Sequence, residues 1–108
     1  MHAFEVLADP VRRRVLELLA LGELASGAIV DVIAAEFGIS QRAVSQHLRV
    51  LRDNGFARVR PEGPRRLYSV DARSLRDVDV WLNRFRRIWA QPLDTEIARG
   101  KRARRRGS

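Results

Sequence analysis

Gln41, Arg42, Ser45, Gln46 and Arg49 lie in one short segment and carry the side chains with which proteins read DNA bases. Arginine pairs with guanine, glutamine with adenine and serine with either, because their polar groups match the major-groove edges. At about 3.6 residues per turn, Arg42, Gln46 and Arg49 fall on one side of a helix, with the other two near its N-terminal end. The spacing therefore predicts a helix with a hydrogen-bonding front.

The opposite side of this helix is apolar, because Val44, Leu48 and Leu51 recur at helical spacing. Ser40 is a good N-cap, and a tight turn at Gly38-Ile39 joins the helix to the preceding segment. This arrangement is typical of a helix-turn-helix, whose second helix enters the DNA groove. An ordinary amphipathic surface helix fits the segment alone equally well, so the rest of the chain must decide.

Three helices are predicted before this segment. A short one covers Phe4 to Leu7, and Asp9-Pro10 provides the cap and first residue of the next. Ser26 is predicted to cap the third helix, which Gly38 ends. The side chains expected to face inward from the second and third helices are Val11, Val15, Leu18, Leu19, Ile29, Val32, Ile33 and Phe37. The arginines at 12–14 are expected to lie largely on the outer face.

Beyond Asn54-Gly55 the pattern changes to alternation, in "FARVR" and again in "RLYSV", with turn residues at 61–64 between them. A two-stranded hairpin is predicted, which must lean on the helices because an isolated hairpin is marginal. Val59, Tyr68 and Val70 are expected to point inward. The arginines expected to point outward are Arg58, Arg60, Arg65 and Arg66.

Helical spacing returns from Ala72 to about Ile97 and predicts one long helix. Its apolar stripe is formed by Leu75, Val78, Leu82, Phe85 and Trp89, with Trp81 and Ile88 beside it. So much apolar surface exceeds what a small domain covers by itself, which favours dimerisation over packing within one chain. Residues 98–108 form a basic run without apolar pattern and are predicted to be a flexible tail.

Composition narrows the function. The 108 residues suit one domain, predicted at 1–97, and the net charge of +8 favours an anionic partner such as nucleic acid. No apolar run is long enough to cross a membrane, so a cytoplasmic protein is expected, associated with the nucleoid when bound to DNA. The chain has no cysteine and two histidines, and no nucleophile–base pair or phosphate-cradling glycine motif stands out. An enzyme is therefore not expected, and neither is a cofactor.

Three segments, "LADPVRRRVLELLALGEL", "GISQRAVSQHLRVLRDNGFARVRPEG" and "RRLYSVDARSLRDVDVWLNRFRRIW", resemble ArsR/SmtB-type bacterial transcriptional repressors over roughly Phe4 to Leu93. The resemblance implies a mainly α, winged helix-turn-helix homodimer that binds a palindromic operator in double-stranded DNA. It places the helix from Ser40 in the major groove, and the hairpin becomes the wing. The DNA-binding residues it implies are Ser40, Gln41, Arg42, Ser45, Gln46, Arg49, Arg60, Arg65 and Arg66. The dimer-interface residues, in the first and last helices, are Phe4, Leu75, Val78, Leu82, Phe85 and Trp89.

Some positions remain open under this resemblance. His47 stands at the family's histidine position, where it either contacts phosphate or makes a hydrogen bond that holds the helix. Many members sense metals through cysteines in the third helix or an Asp/His set in the last, and this chain lacks both, so no metal site is expected. An unidentified small-molecule or protein effector stays open. A sequence-blind architectural DNA-binding protein is the alternative function, against which the uncharged readers Gln41, Ser45 and Gln46 argue.

Overall fold

The computed structural model describes residues 1–90, so the predicted end of the last helix and the tail lie outside the described residues. The elements are α1 (Ala3–Ala8), α2 (Pro10–Ala20), β1 (Leu24–Ala25), α3 (Ser26–Phe37), α4 (Gln41–Asp53), β2 (Ala57–Glu62), β3 (Arg65–Val70) and α5 (Ala72–Asn83). The chain divides into two units, Met1–Val78 and Asp79–Ser108. The first unit contains the sheet and the predicted DNA-reading helix.

The core of the first unit lies between α1–α4 and the sheet. Its largest fully buried side chains include Phe56, Ile29, Ile33, Leu48 and Leu51. Two of these come from α3 and two from α4, so burial of apolar surface fixes the two helices of the helix-turn-helix against each other. The inward stripe of α2 is confirmed, with Leu18 half-buried and Leu16 added to it.

Two of the three predicted helix caps are confirmed. Asp9 accepts hydrogen bonds from the backbone N–H of Val11 at 2.8 Å and of Arg12 at 3.3 Å. The Ser40 hydroxyl accepts one from the Ala43 N–H at 3.1 Å, and thus satisfies an orphan donor at the start of α4. Between α3 and α4, Gly38 has a φ of 63°, a left-handed conformation that glycine adopts without steric penalty.

The third predicted cap, Ser26, is wrong by one residue. Ser26 is the first residue of α3, and the N-cap is Ala25, which provides no side-chain hydrogen bond. The reason is that Ala25 is paired with Leu67 in the sheet, so the chain passes directly from a strand into the helix. The inward orientation of Val32 and Phe37 is also wrong, because they are 43% and 37% exposed and only a narrow stripe of α3 is buried.

The predicted hairpin is part of a three-stranded antiparallel sheet with the order β1-β3-β2. The turn is shorter than predicted, because Pro61 and Glu62 still pair with Arg66 and Arg65. Pro61 is tolerated there since β2 is an edge strand. Gly63 has a φ of 59°, which fits the first central position of a primed two-residue turn. β2, β3 and this turn form the wing, residues 57–70.

The long last helix is interrupted. α5 ends at Asn83, residues 84 and 85 form a turn, and helix resumes over residues 86–90. At the break the backbone N–H of Arg84 and Phe85 bond three residues back, to Trp81 and Leu82, which is a tighter turn than an α-helix. Asparagine is a poor helix former, which helps to explain why the break follows Asn83. The prediction of one continuous helix is therefore wrong within the described residues.

Candidate nucleic-acid interface

α4 is held by one face and exposed on the other. Val44, Leu48 and Leu51 are at most 2% exposed, which fixes the rotation of the helix about its axis. The five side chains on the opposite side are exposed and form what we call the reading face: Gln41, Arg42, Ser45, Gln46 and Arg49. The predicted orientation of this helix, with its apolar face buried and its polar face exposed, is thus confirmed.

The reading face is free of internal partners. Within residues 1–90, none of its five side chains makes a hydrogen bond or an ion pair. Exposed helix faces commonly carry pairs of opposite charge three or four residues apart, and this one carries none. Its donors and acceptors are therefore available to a ligand.

His47, beside the reading face, is half-buried and contacts α2. The Arg12 Nη1 atom lies 3.4 Å from His47 Nδ1, and because arginine can only donate, Nδ1 acts as the acceptor. Arg12 also donates to the carbonyls of Val6 at 2.8 Å and Glu5 at 3.0 Å. The expectation that Arg12 lies on the outer face is wrong, since its side chain is 13% exposed and connects α1, α2 and α4. Phosphate contact by His47 stays a prediction.

The wing arginines, all exposed, differ in their partners. Arg60 donates to both carboxylate oxygens of Glu23, at 2.9 and 2.7 Å, and reaches Glu62 at 3.3 Å. These bonds lower the pKa of the Glu23 carboxyl, so the pair stays charged. Arg65 also pairs with Glu62, at 3.1 Å. Arg66, by contrast, has no hydrogen bond or ion pair within residues 1–90.

Arg66 lies at a recess between α4 and the wing. The recess has a volume of about 190 Å³, and its lining residues are Ser26, Ser45, Leu48, Arg49, Arg52, Arg66 and Tyr68. Three arginines and three residues with hydroxyl groups, from α3, α4 and β3, thus line the recess. Sequence reasoning missed Ser26, Arg52 and Tyr68 as site residues. Arg52 could have been found, because it follows Arg49 by one helical turn.

The residues predicted for the dimer interface are not buried within the protomer. In the first unit, Leu75 and Val78 are half-buried and Phe4 is 40% exposed. In the second unit, Leu82 and Phe85 are half-buried and Trp89 is 37% exposed. The Phe85 ring lies 4.8 Å from Trp81 and 6.4 Å from Trp89, so the second unit carries a row of three aromatic rings.

Comparison with known proteins decides the family. The helix-turn-helix domain family HTH_20 matches residues 7–60. The HTH-type transcriptional regulator Rv2034 of Mycobacterium tuberculosis is 39% identical over 99 residues, covering 88% of this chain and 89% of the relative. A solved ArsR family transcriptional regulator, RHA00566, superposes with a TM-score of 0.66 at 28% identity, over 82% of this chain and 87% of that one. The chain belongs to the ArsR family of helix-turn-helix transcriptional regulators.

This ArsR-family regulator is also similar to a second sequence relative and a second solved structure. The transcriptional repressor SdpR of Bacillus subtilis is 31% identical over 84 residues, which are 78% of this chain and 89% of the relative. The homodimeric winged helix-turn-helix DNA-binding domain of Mb0332 from Mycobacterium bovis has a TM-score of 0.57 and 27% identity, covering 82% of this chain and 76% of that one. The predicted family and the winged helix-turn-helix fold class are confirmed, and family membership makes the chain a regulator rather than an enzyme.

Two absences hold for the described part of this regulator. Among residues 1–90, no three His, Cys, Asp or Glu side chains are grouped closely enough to hold a metal ion. No helix in the same range is long and apolar enough to cross a membrane.

In this ArsR-family protein the end of α4 is joined to the start of α5. Asp71 is 1% exposed and accepts hydrogen bonds from the Arg73 backbone N–H at 3.0 Å and from its guanidinium at 2.7 to 3.1 Å. These bonds lower the pKa of Asp71 from 3.8 to about 2. The Ser74 hydroxyl donates to the carbonyl of Asn54 at 2.5 Å. Residues that begin α5 therefore hold the C-terminal end of α4.

Proposed function

We propose that this chain is a homodimeric repressor of transcription that binds a palindromic operator, with α4 of each protomer in the major groove and the wing beside the backbone. One observation carries the proposal: the reading face is exposed, has no internal partners and stands on a fully buried back. Half-sites about one helical turn apart on B-DNA would match the two-fold symmetry. The bound protein would then be part of the nucleoid.

Sequence-specific reading is favoured over the architectural alternative by uncharged residues. Gln41, Ser45 and Gln46 are exposed on the first turns of α4, where recognition helices contact base edges. They add nothing to the electrostatic attraction that holds a sequence-blind protein on DNA. Their hydrogen-bonding groups match base edges, which favours contacts that read sequence.

Dimerisation is supported by the aromatic row of the second unit and by a homodimeric structural neighbour. Ile88 is 65% exposed and Trp89 37% exposed, beside the half-buried Phe85. An apolar surface of this kind is typical of an interface between proteins. The Mb0332 domain, described as homodimeric, has the same fold, so we propose that a second copy of this chain covers the row. An unidentified effector would release the dimer from DNA, and we assign no binding site to it.

Selection of bound fragments from a random-sequence DNA pool, followed by footprinting, tests the function. Gln46→Ala should weaken binding to the selected duplex by ~1–3 kcal/mol, because one bidentate contact to adenine is lost. A random duplex of the same length is the control, and its affinity should stay unchanged. Equal losses on both duplexes would show that Gln46 does not read sequence, and a pool without enrichment would favour the architectural alternative.

A further inference from the structure

The recess between α4 and the wing is lined by Tyr68, a largely buried residue whose hydroxyl has no partner within the described residues. Tyr68 is 6% exposed and lines the recess, yet its hydroxyl makes no hydrogen bond to any of residues 1–90. No buried side-chain nitrogen or oxygen in this range lacks a partner, so the hydroxyl must still be accessible. Because this O–H group is accessible and has no partner in this range, it is available to donate to a ligand in the recess.

The charge at the recess is positive. Arg52 is balanced by Asp53, whose carboxylate lies 3.1 Å away. Arg49 and Arg66 have no ion pair within the described residues, whereas Arg60 and Arg65 of the wing are paired with carboxylates. Two arginines without an ion pair, on different elements, therefore line one small volume and favour an anion there.

A third source of positive potential is the start of α3. Ser26 lines the recess and is the first residue of this helix, and its N-cap, Ala25, offers no side-chain acceptor. The first backbone N–H groups of a helix carry a partial positive charge and favour an anion. At about 190 Å³ the recess is smaller than the roughly 300–1,000 Å³ of sites for drug-sized ligands. A single tetrahedral oxyanion fits its size and its donors.

We propose that this recess is a phosphate seat, which takes one phosphate of the DNA backbone per protomer between the guanidinium groups of Arg49 and Arg66 and the hydroxyls of Tyr68 and Ser45. The proposal rests on the proposed function and deepens it. A phosphate held between α4 and the wing fixes the register of the reading face on the bases, since backbone contacts position a protein on DNA without reading it.

A methylphosphonate scan tests the seat. Single phosphates of the selected duplex are replaced by uncharged methylphosphonates, and affinities are compared for the wild type, Arg66→Ala, Tyr68→Phe and the control Arg76→Ala. Arg76 is an exposed arginine of α5 outside the recess. In the wild type and the control, one position per half-site should lower affinity about tenfold, as expected for lost hydrogen bonds to a charged group. In both recess variants the penalty at that position should be smaller than in the wild type, most clearly in Arg66→Ala, which has lost a charge, and less in Tyr68→Phe, which keeps both guanidinium groups.

The two recess variants should also differ from each other. Arg66→Ala removes a charge, so the slope of log affinity against log salt should fall by about 0.9 per protomer. Tyr68→Phe removes only a hydroxyl, so affinity should fall with the slope unchanged. Since a phosphate is present in any sequence, both losses are expected on a random duplex too. The seat is therefore tested even if the pool shows no enrichment.

Two results would overturn the seat and leave the proposed function intact. One is a loss of affinity on methylphosphonate replacement that, at every position, is the same in both recess variants as in the wild type. The other is wild-type DNA affinity in both variants, as expected if the recess serves a free phosphate ligand instead of the backbone. In either case selection of a sequence by the wild-type protein would still support the regulator proposal.

Discussion

Replacing Gly55 by alanine should destabilise the junction between α4 and α5. Gly55 follows α4 with a φ of 77°, and a Cβ atom placed on it would lie 2.7 Å from the Ser74 hydroxyl oxygen. That hydroxyl is held in place by its hydrogen bond to the Asn54 carbonyl, and the Ser74 N–H donates to the Gly55 carbonyl at 3.3 Å. An alanine at 55 must therefore displace the Ser74 hydroxyl from its hydrogen bond to Asn54.

The expected loss of stability has three parts. A left-handed conformation costs a residue with a Cβ about 1–2 kcal/mol. Displacing the Ser74 hydroxyl loses a hydrogen bond worth about 0.5–1.5 kcal/mol. Alanine also lowers the conformational entropy of the unfolded chain, which offsets about 0.4–1 kcal/mol of this loss. The net destabilisation is about 0.5–3 kcal/mol. For a domain of this size each kcal/mol lowers the Tm by roughly 4–8 °C.

Urea and thermal unfolding of Gly55→Ala, Ser74→Ala and the double variant would isolate the contact. Measurements need one fixed protein concentration, because dimerisation shifts apparent stability. Only the hydroxyl causes the conflict, since the Ser74 Cβ would be 3.9 Å from the new methyl group. The loss of stability in the double variant should therefore be about 1 kcal/mol smaller than the sum of the losses in the two single variants.

Gly38→Ala is the matched control. Gly38 also follows a helix, has a φ of 63° and has nothing within 4 Å of a built Cβ, so its replacement carries the left-handed penalty alone. If Gly55→Ala costs no more than Gly38→Ala, or if the single losses simply add in the double variant, contact with Ser74 does not explain the role of Gly55.

Three further outcomes are expected. Glu23→Gln should release Arg60 and raise DNA affinity with a steeper salt dependence in anisotropy titrations, and an unchanged slope would exclude Arg60 from the backbone contacts. Because the pKa of Asp71 is lowered, its stabilising contribution is complete above pH ~4 and is lost as the pH falls towards 2; Asp71→Asn should remove that part of the acid sensitivity in unfolding curves. Leu82→Asp with Phe85→Asp should abolish the dimer in sedimentation equilibrium and operator binding with it, whereas a well-folded dimer would place the interface elsewhere.

Features with local signals were predictable from the sequence. Asp9, Ser40 and Gly38 act within a few residues of their own positions, as caps and a turn, and the structure has all three as expected. The buried back of α4 followed from helical spacing because one apolar face must pack against the core. The candidate reading face followed from the same periodicity.

Features that depend on distant residues were not predictable. The third strand consists of two residues, Leu24 and Ala25, too few to show an alternating pattern. It nevertheless shifts the start of α3. Arg12 looked like a solvated arginine, and only the packing of α1 and α4 shows that its charge is used inside the protomer. Pairing across the sheet is equally invisible in a local window.

The net charge of +8 is therefore a poor guide to which arginines face DNA. Arg60 and Arg65 lie on the outer side of the wing, as alternation predicts, but carboxylates of Glu23 and Glu62 already neutralise them. Arg49 and Arg66 have no ion pair within residues 1–90, and both line the recess. Because a paired guanidinium shares its donors and its charge with a carboxylate, whereas an unpaired one does not, we expect the stronger backbone contact at the recess. Net charge alone would have predicted equal contact with the DNA backbone for all the exposed arginines of the wing.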